Sequence, residues 1–185
     1  MMKRIIDLAV SGLALIVLSP FLAVVWIVVR ASSPGPGVYV QTRVGFQGKI
    51  FRIFKFRTMA VNADCIGSYQ TQDNDSRITQ VGRVLRKTSI DELPQLFNVL
   101  RGDMSLVGPR PDTPMQESRY ENWQWTKRLS VRPGMTGLAQ ATRRSLANHD
   151  ERLHLDFEYI DTQSIWLDLK ILWLTFGKLS GKGSN

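Results

Sequence analysis

The chain has 185 residues, 43% of them hydrophobic and 22% charged, with a formal net charge of +8. That size and composition suit one domain and exclude a disordered tail, a collagen-like repeat or a disulfide mini-protein, since the single cysteine, Cys65, has no internal partner. No zinc-type Cys/His constellation accompanies Cys65, and no basic or helical neighbour activates it, so the thiol reads as incidental.

The apolar residues are concentrated at the start. Between Asp7 and Arg30 lie 22 uncharged residues, and an unbroken helix of them would reach roughly 33 Å, enough to cross a bilayer. Lys3 and Arg4 would suit a signal peptide, but the apolar run is too long and no small-x-small cleavage site follows it. Ser19-Pro20 falls near its middle, where proline removes a backbone donor and crowds a preceding carbonyl, so a kink is expected. A kinked spanning helix and a re-entrant helix that enters and leaves by one face both accommodate it. Flanking charge favours the second, because Lys3 and Arg4 precede the segment while Arg30, Arg43, Lys49, Arg52, Lys55 and Arg57 follow it, drawing both ends to the cytoplasmic side.

Ser32, Ser33, Pro34, Gly35, Pro36 and Gly37 form a stiff turn, dividing a membrane segment over 1–31 from a polar domain over 32–185. Residues 38–44, the turn at 45–48 and residues 50–56 predict a short β-hairpin, and residues 62–76 read as a mobile surface loop. Leu93, Leu96, Phe97 and Leu100 fall at i, i+3, i+4 and i+7, predicting an amphipathic helix over 90–101 that Gly102 ends. A turn-rich run over 103–114 follows. Ile165, Trp166, Leu169, Leu172, Trp173 and Phe176, with Lys170 and Lys178, mark a last helix that suits the core and a membrane interface equally. Residues 181–185 read as a flexible end. The class is α+β: a small membrane-associated domain with a re-entrant, broken N-terminal helix, interfacial amphipathic helices and a hairpin.

Ser89, Asp91 and Glu92 fit a capping box, although Pro94 fits the first helical turn better with Asp91 as the cap. At a positive helix end, both acids are expected to have lowered pKa values and to stay ionised, as plain caps, as a nucleophile or as metal ligands. Arg83, Arg86, Lys87, Arg101, Arg110 and Arg132 surround them in sequence, and Pro109 and Pro111 stiffen the backbone that presents Arg110. Each arginine alone is a solvated charge. Together with a carboxylate pair and glycine-rich turns they suggest a polyphosphate ligand, bridged to the acids by a divalent ion.

The run Ser89-Ile90-Asp91-Glu92-Leu93-Pro94-Gln95-Leu96, continued by Asn98-Val99-Leu100-Arg101-Gly102-Asp103-Met104-Ser105-Leu106-Val107-Gly108-Pro109-Arg110-Pro111, resembles the monotopic phosphoglycosyltransferases, bacterial sugar transferases. Lys3-Arg4 with Asp7, Ser19-Pro20, Ser33-Pro34-Gly35-Pro36, Gln41, Arg43-Val44-Gly45, Lys55-Phe56-Arg57-Thr58-Met59, Arg132-Pro133-Gly134-Met135-Thr136-Gly137 and Asp168-Leu169-Lys170 extend the match over nearly the whole chain. The resemblance implies transfer of a sugar-1-phosphate from a UDP-sugar to a polyprenol phosphate, such as undecaprenyl phosphate, with release of UMP, at the cytosolic face of the bacterial cytoplasmic membrane. It implies Asp91 as the nucleophile that carries the phosphosugar, Glu92 beside it, and Mg²⁺ held by both. Lys55, Arg57, Arg86, Arg110, Arg132 and Arg144 would serve substrate phosphates, and Ser19 and Pro20 would break the membrane helix. Arg143-Arg144-Ser145 departs from the family's usual Gly-Arg-Asn, which bears on that loop's backbone and on sugar or nucleotide preference. His149 and His154 match no catalytic position. The sugar and the oligomeric state stay unspecified.

Two rivals compete. A basic, membrane-anchored protein could bind anionic lipid or nucleic acid without catalysis, but it needs no carboxylate pair, and nucleic acid is not expected as a partner. A metal-dependent hydrolase would cleave a nucleotide diphosphate with water.

Overall fold

The computed structural model describes residues 2–63, 75–143 and 148–180. Cys65, Arg144, the end at 181–185 and most of the loop expected at 62–76 lie outside them. In chain order come helix α1 (Met2–Ser32), the strands β1 (Val38–Val44) and β2 (Ile50–Phe56), helix α2 (Gln80–Thr88) and a 3-10 turn (Ile90–Gln95) running into α3 (Leu96–Arg101). Strand β3 (Ser105–Val107), α4 (Asn122–Arg128), β4 (Gly134–Thr136), α5 (Leu138–Thr142), α6 (His149–Thr162) and α7 (Ile165–Ser180) follow, so the class is α+β.

Among the described residues α1 is the one helix long and apolar enough to cross a membrane. Pro20, where the sequence predicts a kink, lies in the interior of this helix. Proline leaves the Ile16 carbonyl without its backbone donor, and the Ser19 hydroxyl donates to that carbonyl at 2.9 Å. The Ser-Pro pair thus fills its own hydrogen-bonding gap, as Ser and Thr side chains do around membrane prolines. Asp7, Ser11, Leu15, Val25 and Val29 form a buried stripe along the helix, while Leu13, Ile16, Val17, Val24 and Ile27 stay exposed.

Both ends of α1 are tied to the rest of the chain. Lys3 pairs with Asp168 of α7 at 2.5 Å and donates to the Val107 carbonyl at 3.1 Å. Arg4 donates to the Val99 and Leu100 carbonyls at 2.7 and 3.0 Å, adding donors at the end of α3. Asp7 accepts from the Leu106 amide at 3.1 Å. At the far end the Arg57 guanidinium donates to the carbonyls of Val29, Ser33 and Pro34.

The hairpin forms over the predicted residues, antiparallel from Val38 opposite Phe56 to Val44 opposite Ile50. The other edge of β2 meets a side chain rather than a strand. Fully buried Asn98 accepts from the Phe54 amide at 3.1 Å and donates to the Arg52 carbonyl at 2.7 Å. A second sheet, unforeseen, pairs β3 with β4 in parallel, Ser105 with Gly134 and Val107 with Thr136. Three-residue strands are too short to show a period, yet this pairing brings the Pro109-Arg110-Pro111 and Pro133-Gly134 segments together.

The predicted helix over 90–101 differs in form. Residues 90–95 are a 3-10 turn, and only 96–101 are α-helical, ended as expected by Gly102 at φ +90°. A 3-10 turn advances three residues per turn, so a 3.6-residue period carried across it misplaces the apolar face. Phe97 is consequently exposed and Val99 fully buried. Ser89 does not cap this turn. It sits at φ 57° as the left-handed end of α2, without a side-chain cap bond.

The main core gathers Phe51, Ile53, Leu96, Val99, Met104 and Ile171 with Leu15 of α1, and a second cluster joins Val25 and Val29 of α1 to Phe56, Leu85 and Ile90. Helix α7 has both faces that its sequence allows: Asp168 and Ile171 are buried, and Trp166, Leu169, Trp173 and Phe176 form an exposed stripe. Replacing Asn98 with Ala strands a part-buried amide and a part-buried carbonyl on β2. Denaturant unfolding should show a loss of about 2–4 kcal/mol.

Candidate active site

The end of β2 and the 3-10 turn assemble the charged centre. Lys55 projects from β2, and its ammonium lies 2.6 Å from Glu92 Oε1. The same oxygen accepts from Arg110 at 3.0 Å, so one carboxylate oxygen serves two cations from segments far apart in sequence. Asp91 precedes Glu92 and is buried, and Ile90 before it packs on the cluster containing Val25 and Val29 of α1. The carboxylate pair is therefore anchored to the last turns of the apolar helix.

Arg86 reaches this centre from α2. Thr79 caps that helix, its hydroxyl accepting from the Gly82 amide at 2.9 Å. A Cβ at position 82 would lie 2.0 Å from the Thr58 carbonyl oxygen, so glycine permits the contact. One turn later Arg86 Nε donates to Thr58 Oγ1 at 2.9 Å, and its charge acts on Asp91.

The two acids titrate in opposite directions, and both were expected to fall. Burial, then the neighbouring charge of Glu92, raises Asp91 to about 6 against the opposing pull of Lys55, Arg86 and Arg110. Burial also pushes Glu92 upward, but the charges and hydrogen bonds of Arg110 and Lys55 outweigh it and hold Glu92 at about 2. A helix-end argument misses this, because the local turn is a short 3-10 segment and the deciding partners are remote. Lys55 is itself lowered, by burial and then by Arg110, and Arg110 is raised by Glu92.

Asp91, Glu92, Lys55, Arg86 and Arg110 thus meet at one place, beside a small cleft lined by Lys55, Gln95, Arg110, Arg43 and Pro111. Two other predicted phosphate contacts lie elsewhere. Arg57 is buried and donates to carbonyls around the end of α1. Arg132 donates to the Gly102 carbonyl at 3.1 Å and lies over the Phe46 ring. Arg144 falls outside the described residues. Sequence reasoning missed Thr58, and it missed Arg128, whose guanidinium donates to the Arg110 carbonyl at 3.0 Å.

Among the described residues no group of three or more His, Cys, Asp or Glu side chains forms a metal cage. A magnesium ion does not need one, since it commonly takes one or two carboxylates and completes its shell with water and substrate phosphate. Among the described residues the Asp91 carboxylate has no hydrogen-bond or ion-pair partner, and Glu92 engages its cations through one oxygen. That donor set fits magnesium.

The raised Asp91 makes ionisation costly to the fold. Its proton is held more tightly in the folded state than at the ordinary value of 3.8, so stability falls as pH rises from about 4 through about 6. With a chelator present, Asp91→Asn should stabilise the protein by about 1–3 kcal/mol above pH 6, and the gain should fade toward pH 4, as followed by denaturant unfolding.

Residues 1–182 match the family model described as bacterial sugar transferase. The undecaprenyl-phosphate glucose phosphotransferase of Komagataeibacter xylinus is 45% identical over 94% of the chain, which spans 35% of that protein. The UDP-glucose:undecaprenyl-phosphate glucose-1-phosphate transferase of Caulobacter vibrioides is 43% identical over 96% of the chain and 69% of its own length. An N-acetylgalactosaminephosphotransferase of Aeromonas hydrophila acting on undecaprenyl phosphate is 41% identical over 99% of the chain and 45% of its own length. The chain thus covers about a third of one of these relatives and about two thirds of another. A match over this extent places the chain in the bacterial sugar transferase family.

Proposed function

We propose that the chain transfers a sugar-1-phosphate from a UDP-sugar to a polyprenol phosphate, undecaprenyl phosphate by analogy with its relatives, releasing UMP and leaving a polyprenyl-diphosphate sugar. The observation that carries this reading is the inequality of the two acids: Asp91 has an unpartnered carboxylate, while the charge of Glu92 is countered by Lys55 and Arg110. A desolvated, unpartnered carboxylate is suited to nucleophilic attack.

In the first displacement an Asp91 oxygen bonds to the sugar-linked phosphorus, and the phosphoanhydride bond breaks with its electron pair leaving on UMP. In the second, a polyprenol phosphate oxygen bonds to that phosphorus and the aspartyl bond breaks, restoring the carboxylate. Lys55, Arg86 and Arg110 stand around the acids where phosphate charge gathers, which suits electrostatic stabilisation by fixed cations. A magnesium ion held by Asp91 and Glu92 would supply further neutralisation of the diphosphate. Arg57 and Arg132 hold backbone carbonyls, and for them, as for Arg144, the phosphate-facing role rests on family resemblance.

Seating in the cytoplasmic membrane is supported by the exposed apolar surface of α1 and the Trp166, Leu169, Trp173 and Phe176 stripe of α7, which suit lipid. The re-entrant, monotopic reading draws support from the fastening of both ends of α1 to one polar body, by Lys3 and Arg4 at the start and by Arg57 at the end. A soluble nucleotide-sugar donor requires that body on the cytosolic side.

The test incubates the full chain with Mg²⁺, undecaprenyl phosphate and a panel of UDP-sugars and measures UMP. At least one donor should give acceptor-dependent UMP release, and Asp91→Asn should reduce it by about 10³-fold while the fold is kept. No release with any donor overturns the assignment. Free sugar phosphate formed without acceptor points to hydrolysis, and lipid binding without turnover points to a binding protein.

A further inference from the structure

The segment Pro109 to Asp112 is held at every carbonyl. Pro109 accepts from the Gly134 amide at 2.9 Å, Arg110 from Arg128 Nη2 at 3.0 Å, Pro111 from Arg43 Nη1 at 2.8 Å and Asp112 from the Val44 amide at 2.9 Å. The donors come from β1, α4 and β4, so three elements hold four consecutive peptide groups. Proline on each side of Arg110 narrows its backbone, but position comes from these donors.

Arg128 is the member of this set with a buried ionic anchor of its own. Its side chain is 3% exposed and lies between Asp156 at 1% and Asp112 at 3%. Nη1 donates to Asp156, while Nη2 donates to Asp112 at 2.8 Å and to the Arg110 carbonyl. Arg152 adds a second cation, 2.8 Å from the other Asp112 oxygen, and the Tyr120 hydroxyl donates to Asp112 at 2.8 Å. Two arginines and two aspartates balance in charge, the condition under which a buried ionic network can be held. One guanidinium joins this network directly to the backbone of Arg110.

The geometry points to Arg128 as a positioning residue, whose guanidinium, fixed by Asp112 and Asp156, holds the Arg110 backbone so that the Arg110 side chain reaches Glu92. This rests on the reading of the Asp91–Glu92 site proposed above. Lysine keeps the charge of Arg128, but one ammonium cannot span Asp156 and the Arg110 carbonyl as a planar fork does. Misplacing a group that orients the reacting centre costs about 10- to 100-fold in rate.

The test uses the full chain in detergent or nanodiscs with Arg128→Lys, and with Asp156→Asn as a milder second variant that keeps side-chain volume. Amide hydrogen exchange at Val44 and Gly134, the donors on either side of Arg110, should accelerate in both variants. Exchange at Phe54, which bonds to Asn98, should hold as the sign of an intact fold. Unchanged exchange at Val44 and Gly134 overturns the positioning role, whether or not turnover is detected. In the UMP assay Arg128→Lys should lose about 10- to 100-fold in kcat/KM, and adding it to Arg110→Ala should cost about 2-fold or less, because Arg110 is the route by which it acts. Additive losses overturn the inference. No UMP release by the unmodified chain overturns the proposed function instead, leaving hydrogen exchange to decide the clamp.

Discussion

Glu92 is the point at which the molecule's distant segments converge. Its Oε1 accepts from Lys55 on β2 and from Arg110 on the loop after β3. A carboxylate taken largely out of water is sustained only when paired and hydrogen-bonded, and two cations on one oxygen meet that requirement. The arrangement holds β2, the 3-10 turn and the loop in register with one another. It also sets the state of Asp91, because an ionised Glu92 next door opposes a second charge while Lys55, Arg86 and Arg110 favour it. Burial tips that balance toward the protonated form near pH 6, leaving Asp91 ionised but poorly solvated at neutral pH.

The apolar helix and this centre are one mechanical unit. Val25 and Val29 of α1 pack with Phe56, Leu85 and Ile90, so the turn bearing the acids and the end of the strand bearing Lys55 rest on the helix directly. Arg57 closes the same corner by donating to carbonyls at and beyond the end of α1, and Lys3, Arg4 and Asp7 fasten its start to α7, α3 and β3. These short-range polar ties explain why a segment apolar around most of its circumference carries charge so close to its ends.

Local patterns were legible wherever they depend on neighbours in sequence. The hairpin, the left-handed glycine ending α3 and the long apolar helix all appear where turn residues and periodicity put them. Errors arose where one local rule ran into another. Pro94 and the left-handed Ser89 convert the start of the expected α-helix into a 3-10 turn, which shifts the apolar phase and exposes Phe97. The parallel pairing of β3 with β4 left no trace in composition, because strands of three residues have no readable period.

By itself the sequence determined the α+β class, the apolar anchor, the hairpin and the carboxylate pair with its company of arginines, because each is written in residue type and short spacing. Only the tertiary structure decided which cations serve the pair. Lys55 and Arg110 reach Glu92 across 37 and 18 positions, Arg128 reaches Asp156 across 28, and Arg57 and Arg132 donate to backbone carbonyls. Charge, burial and pKa belong to three-dimensional neighbourhoods, and the chain brings those neighbours together only when its core closes.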